Sequence, residues 1–144
     1  MAVHPKQLVL SSASPRRAEL LERMGLRFQI HPSNVVEDDS GLNGPIEMVE
    51  NNARLKASTL STYMPDALVL GSDTTVDIDG TILSKPNDME EALQMLIQLS
   101  GRVHAVFTSI ALYWNLGNLE HVFTERSDVH FKTLKRETIE NYIS

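Results

Sequence analysis

Apolar residues recur along this chain in two rhythms, short continuous or alternating runs and stripes at helical spacing, and the two rhythms take turns. Residues 8–10 form an unbroken apolar run, the pattern of a strand buried on both faces, and give way to a small-residue turn over 11–14. A helix is predicted to start at Pro15, because Ser14 is a good N-cap and proline suits a first helical position that needs no N–H. Leu20, Leu21 and Met24 supply its apolar stripe, and Gly25 is placed for a left-handed cap. Residues 28–30 alternate as a strand that His31-Pro32 ends. Pro45 can open a second helix running towards Tyr63, with Ile46, Val49, Ala53 and Leu60 on one face.

A buried-type strand over 67–70 then runs into Gly71, Ser72 and Asp73, which places Asp73 at the strand's carboxyl end. Residues 74–78 alternate, and Asp79-Gly80 before 81–83 is a type I′ hairpin signal. Asn87, with Glu90 three residues on, is expected to cap a helix whose core face is Met89, Leu93, Leu96 and Leu99, closed by Gly101. Residues 102–114 read as a long strand with Val103, Ala105, Phe107, Ser109, Ala111 and Tyr113 on one face and His104 and Thr108 on the other. A turn at 115–118 returns the chain as an antiparallel strand over 119–131, and a helix over 136–144 turns Ile139 and Tyr142 inward. The chain shows no internal repeat or low-complexity segment. Strands alternating with helices in this order make an α/β fold.

Composition narrows the chemistry. At 144 residues the chain fits one domain, and 42% hydrophobic with 22% charged residues is ordinary for a soluble globular protein. A net charge of -6 argues against general affinity for nucleic-acid polymers or anionic membranes, so an anion site must be a local gathering of Lys and Arg. Without cysteine there is no disulfide, thiolate nucleophile or Cys-ligated zinc. No apolar run approaches a membrane span of roughly 20 residues, and the amino terminus lacks a signal-peptide core, so a cytoplasmic protein is expected.

Candidate chemistry gathers at five places. The turn before Pro15 offers the positive end of a helix dipole, with Arg16 and Arg17 as fixed cations, which invites a phosphate. The structural alternative is an ordinary helix cap with solvated arginines, although two cations in a first turn oppose the dipole. The acidic loop at Glu37, Asp38 and Asp39 is either a solvated turn or, through Glu37, a ligand for Mg²⁺. Lys56 lies on the apolar stripe of the second helix and must snorkel to water or reach a buried anion. Asp73 is open to three readings: metal ligand, general base or turn residue. Lys85, held extended before Pro86, can be aimed across a cleft. No Gly-x-x-x-x-Gly-Lys-Ser/Thr sequence is present, which argues against a P-loop enzyme, and no second histidine is spaced to make a zinc pair with His104.

These residues, in order, resemble the Maf (septum formation inhibitor) family of nucleoside triphosphate pyrophosphatases. The likeness runs through Ser12-Ala13-Ser14-Pro15-Arg16-Arg17, Ala53-Arg54-Leu55-Lys56-Ala57, Gly71-Ser72-Asp73-Thr74, Lys85-Pro86 and Leu99-Ser100-Gly101-Arg102-Val103-His104. It implies an inosine triphosphate pyrophosphatase-like α/β fold with an elongated mixed β-sheet and flanking helices. It also implies hydrolysis of a nucleoside triphosphate, such as dTTP, UTP or a modified nucleotide, to a monophosphate and pyrophosphate with Mg²⁺ or Mn²⁺, in a homodimer. By the resemblance, Asp73 is the general base and, with Glu37, a metal ligand. Ser12, Ser14, Arg17, Lys56 and Lys85 face phosphate, and Arg16 and Thr74 influence substrate choice.

The chain departs from the family pattern at Ser11, Ser72, Thr75 and Ser109. The resemblance further implies that relatives continue beyond the equivalent of Ser144, with a site lysine and glutamine in that continuation, so this chain is expected to lack the C-terminal third. The alternative expectation is a nucleotide-binding or regulatory module that grips phosphate without turnover.

Overall fold

The computed structural model describes residues 4–144. Strand β1 (Gln7–Ser11) leads through helix α1 (Pro15–Arg23) to the short strand β2 (Gln29–Ile30), which pairs parallel with it. Helix α2 (Pro45–Tyr63) then carries the chain to β3 (Ala67–Ile78), which pairs parallel with the other edge of β1. β1 therefore lies between β2 and β3, and the two helices are sent to opposite faces of the sheet. α2 packs Ala53 and Ala57 on Val9, Val69 and Ala111, while α1 packs Ala18 and Leu21 on Leu10. Each fully buried valine in that layer contributes about 2 kcal/mol of hydrophobic stabilisation.

The second half of the sheet is antiparallel. β3 turns through Asp79 and Gly80, both at positive φ, into β4 (Thr81–Leu83), as the Asp-Gly signal predicts. After α3 (Met89–Leu99), β5 (Val103–Trp114) pairs along β3, β6 (Leu119–His130) pairs along β5, and α4 (Arg136–Ile143) packs against α3. The order β2-β1-β3-β5-β6 makes one mixed sheet with flanking helices.

Sequence expectations are corrected at β3, at the cap of α3 and along the helix stripes. β3 does not end at Asp73; it is one continuous strand of 12 residues, because β5 supplies hydrogen-bonding partners beyond the point where β1 stops. Asp73 instead sits just past the end of the parallel β1–β3 ladder, whose last pair is Ser11 with Gly71. The cap of α3 is Asp88, which accepts from the Glu91 N–H at 2.8 Å, and Glu91 reaches back to the Asn87 N–H, so the capping pair is shifted by one residue. On all four helices the buried stripe is narrower than expected: Leu20 and Met24 of α1, Ile46 of α2, Met89 of α3 and Tyr142 of α4 are exposed, while Ile139 is buried. No helix among the described residues is long and apolar enough to cross a membrane.

Candidate functional site

In an open α/β sheet the crevice for ligands forms at the carboxyl ends of two adjacent parallel strands whose connections leave in opposite directions. Here those strands are β1 and β3, and a cleft of about 620 Å³ opens there. Ser12, Ser14, Arg17, Glu37, Lys56, Asp73 and Lys85 all line it, so seven of the nine residues singled out in the sequence come together across five separate segments. Arg16 and Thr74 do not. Arg16 is exposed, one residue around the helix from Arg17, and Thr74 faces the opposite side of the sheet from Asp73 because strand residues alternate.

The amino end of α1 is more internally bonded than a bare helix terminus. Ser14 accepts from the Arg17 N–H at 3.4 Å, and the Ser12 hydroxyl accepts from the Ser14 N–H at 3.1 Å, so two amides that could have faced a ligand are taken by side chains. Ser12 also accepts from the Arg17 guanidinium at 3.3 Å, and the other guanidinium nitrogen donates to Thr74 at 3.2 Å. Arg17 therefore runs from the cleft to the far face of the sheet, where Thr74 meets Thr108. Burial lowers the Arg17 pKa from its ordinary value, opposed by the nearby charges of Asp73 and Glu37.

Asp73 is held from α2. Its Oδ2 accepts from Asn52 Nδ2 at 2.9 Å, and its Oδ1 lies 3.8 Å from Lys56 Nζ. Lys56 is only 8% exposed; it does not snorkel, but donates to the Ser72 carbonyl at 2.9 Å and pairs with Glu37 Oε1 at 2.7 Å. The helix comes this close because Gly71 has no side chain: a Cβ there would lie 2.5 Å from the Ala53 carbonyl oxygen and 2.8 Å from the Ala57 nitrogen. Ser11 adds a tie, donating to the Lys56 carbonyl at 3.1 Å. Burial pushes the Asp73 carboxyl above the usual carboxylate range, partly offset by the Asn52 hydrogen bond and the Lys56 charge.

The sequence reading passed over Asn52, which is buried at the centre of this group. The signal was available, since a polar residue one turn before Lys56 falls on the helix face that Val49 and Ala53 mark as buried. Asp39, Ser33 and Ser84 also line the cleft. Two departures from the family pattern bond to one another, with Ser72 Oγ donating to the Ser109 carbonyl at 2.9 Å between β3 and β5.

Known proteins bear on this arrangement in three ways. In fold, the chain is similar to the Ham1 protein of Staphylococcus aureus, with a TM-score of 0.61 over 87% of this chain and 71% of that one at 13% identity. In sequence, it is 42% identical over 139 residues to the dTTP/UTP pyrophosphatase of Pelotomaculum thermopropionicum, covering 96% of this chain and 73% of that protein. The dTTP/UTP pyrophosphatase of Symbiobacterium thermophilum is 44% identical over 138 residues, which is 96% of this chain and 70% of that protein. The family model described as Maf-like protein matches residues 7–144, a span that contains every element around the cleft, and the chain belongs to the Maf family.

Proposed function

We propose that this chain is a nucleoside triphosphate pyrophosphatase that hydrolyses dTTP- or UTP-like nucleotides to the monophosphate and pyrophosphate. The observation that carries the reading is a buried carboxylate, Asp73, held beside Lys56 in a cleft that Arg17 and Lys85 also line. In this reading Ser12, Ser14, Arg17 and Lys85 hold the phosphates and Lys56 stands against the charge that develops on the phosphoryl oxygens. Asn52 fixes Asp73 Oδ2, which leaves Oδ1 to take a proton from the attacking water. The water oxygen bonds to the α-phosphorus as the α–β anhydride bond breaks, and the bridging oxygen leaves with pyrophosphate. Arg16 and Thr74 lie outside the cleft lining and are proposed to act on substrate choice indirectly, Thr74 through its hydrogen bond to Arg17.

The charges in the cleft fit a divalent cation. Arg17, Lys56 and Lys85 are balanced by Glu37, Asp39 and Asp73, three cations against three carboxylates, so the walls alone cannot neutralise a triphosphate. Lys56 already bridges Glu37 and Asp73, so the two carboxylates face a common point. Among the described residues no cluster of three or more acidic or imidazole ligands forms, so Mg²⁺ or Mn²⁺ would have to be held here by one or two protein carboxylates, with phosphate and water oxygens completing its shell. Bound by Glu37 and Asp73, such a cation supplies charge neutralisation and polarises phosphoryl oxygens. A cytoplasmic location and a homodimer complete the proposal.

The test is pyrophosphate release from UTP and dTTP with Mg²⁺ or Mn²⁺. We expect release by the wild-type chain and a loss of at least about 100-fold in Asp73→Asn, with triphosphate binding retained by calorimetry. Folded wild-type protein that releases no pyrophosphate from any nucleoside triphosphate overturns the reading; binding without release would leave a nucleotide-binding module.

A further inference from the structure

Asn52 and Lys56 lie one turn apart on α2 and project from the same face of the helix. Asn52 is 2% exposed, both its N–H groups donate and its oxygen accepts. Nδ2 donates to Asp73 Oδ2 at 2.9 Å and to the Asp38 carbonyl at 3.0 Å, and Oδ1 accepts from the Asp38 N–H at 3.0 Å. The partners dictate the orientation, since a flipped amide would set its oxygen against a carboxylate and a carbonyl. Only the backbone of Asp38 is engaged in this pair; its side chain turns away and accepts from the Ser40 N–H at 2.9 Å.

Each of these bonds joins α2 to something outside it. Asn52 grips the loop by its backbone, while Lys56 grips it by the Glu37 side chain at 2.7 Å. The same two residues take the two oxygens of Asp73, Oδ2 by Asn52 and Oδ1 by the more distant Lys56. A buried amide is tolerated only with its hydrogen bonds made, and an apolar side chain of similar volume would fill the same space. The work left for the amide is therefore to join loop 37–39 to β3, and Asn52 itself does not line the cleft.

We propose that Asn52 is a positioning residue that holds loop 37–39 and Asp73 in one geometry, so that Glu37 and Asp73 face the same end of the cleft. This rests on the pyrophosphatase reading and assigns to it a residue that does not touch substrate.

The test uses Asn52→Leu, which nearly keeps the volume and removes all three bonds, and Asn52→Ser, which keeps one hydroxyl. Both are measured for exchange of the Asp38 amide by NMR and for kcat and KM with UTP and Mg²⁺, alone and combined with Glu37→Gln. We expect the Asp38 amide to exchange at least about tenfold faster in Asn52→Leu, with Asn52→Ser between it and the wild type. We expect kcat to fall about tenfold or more with KM within about threefold, and Asn52→Leu combined with Glu37→Gln to lose less than the product of the two single losses.

Unchanged kcat, unchanged Asp38 exchange, or losses that multiply would overturn the proposal. If Asn52→Leu does not fold, the same measurements on Asn52→Ser decide. A wild-type chain that releases no pyrophosphate overturns the pyrophosphatase reading alone, and the Asp38 exchange rate then decides by itself whether Asn52 ties the loop.

Discussion

Asp73 carries opposing demands. Its carboxyl is raised above the usual range chiefly by burial, with the Glu37 charge adding to the rise and the Asn52 hydrogen bond and Lys56 charge working against it. An acid whose pKa is higher in the folded than in the unfolded state binds its proton more tightly when folded. Its stabilising contribution is therefore present at low pH and is lost as pH rises through the raised value. We expect Asp73→Asn to unfold at a higher urea concentration than the wild type at pH 7, with the difference shrinking towards about pH 4, near the unperturbed carboxylate value. The same shift moves the acid limb of the pH–rate profile above that of an ordinary carboxylate, because a general base must be ionised. A variant less stable than wild type at pH 7 would show that the Asn52 and Lys56 contacts outweigh burial. None of this balance was legible in the sequence, where Asp73 read equally as ligand, base or turn residue, because burial and hydrogen-bond partners are set by chain segments that are distant in sequence.

At the scale of elements, the site depends on how closely α2 approaches β3. Gly71 permits that approach, and the atoms that a Cβ would meet belong to the backbone of α2 rather than to a flexible side chain. Gly71→Ala is expected to cost about 2–3 kcal/mol, as overpacking does, and to lower activity further by shifting the helix that carries Asn52 and Lys56. Urea denaturation and pyrophosphate release measure the two effects. Element identity was largely legible: Pro15, Pro45 and Asp79-Gly80 mark starts and a turn that the structure keeps, because these residues impose their backbone angles locally. The errors fell where neighbours decide. β3 continues through Asp73 because β5 lies beside it, and Tyr142 is exposed because α4 packs mainly on α3.

For the molecule as a whole, the two sides of the fold differ in depth. α2 buries Met48, Val49, Ala53 and Ala57 against the central strands, whereas α3 buries only Leu93 and Leu99 and α4 only Ile139. Hydrogen exchange should therefore be slowest in α2, β3 and β5 and at least about tenfold faster in α3 and α4. Equal protection in α3 and α2 would show that the α3–α4 pair unfolds only with the whole domain. Strand β3 and helix α2, which carry Asp73 and Lys56, are thus on the most protected side, which suits a site that must keep its geometry while the periphery opens.

Taken alone, the sequence determined the run of strands and helices, the Ser14 cap and the hairpin, the absence of thiol chemistry and the set of cations and carboxylates from which a phosphate site could be made. Those follow from local backbone preferences, periodicity and residue chemistry. Only the tertiary structure decided which of them meet. It placed β1 between β2 and β3, so that a cleft opens at their ends, and it separated Arg16 and Thr74 from the seven that line it. It also brought Asn52 to Asp73 from 21 residues away, a pairing that arises only when α2 folds across the sheet.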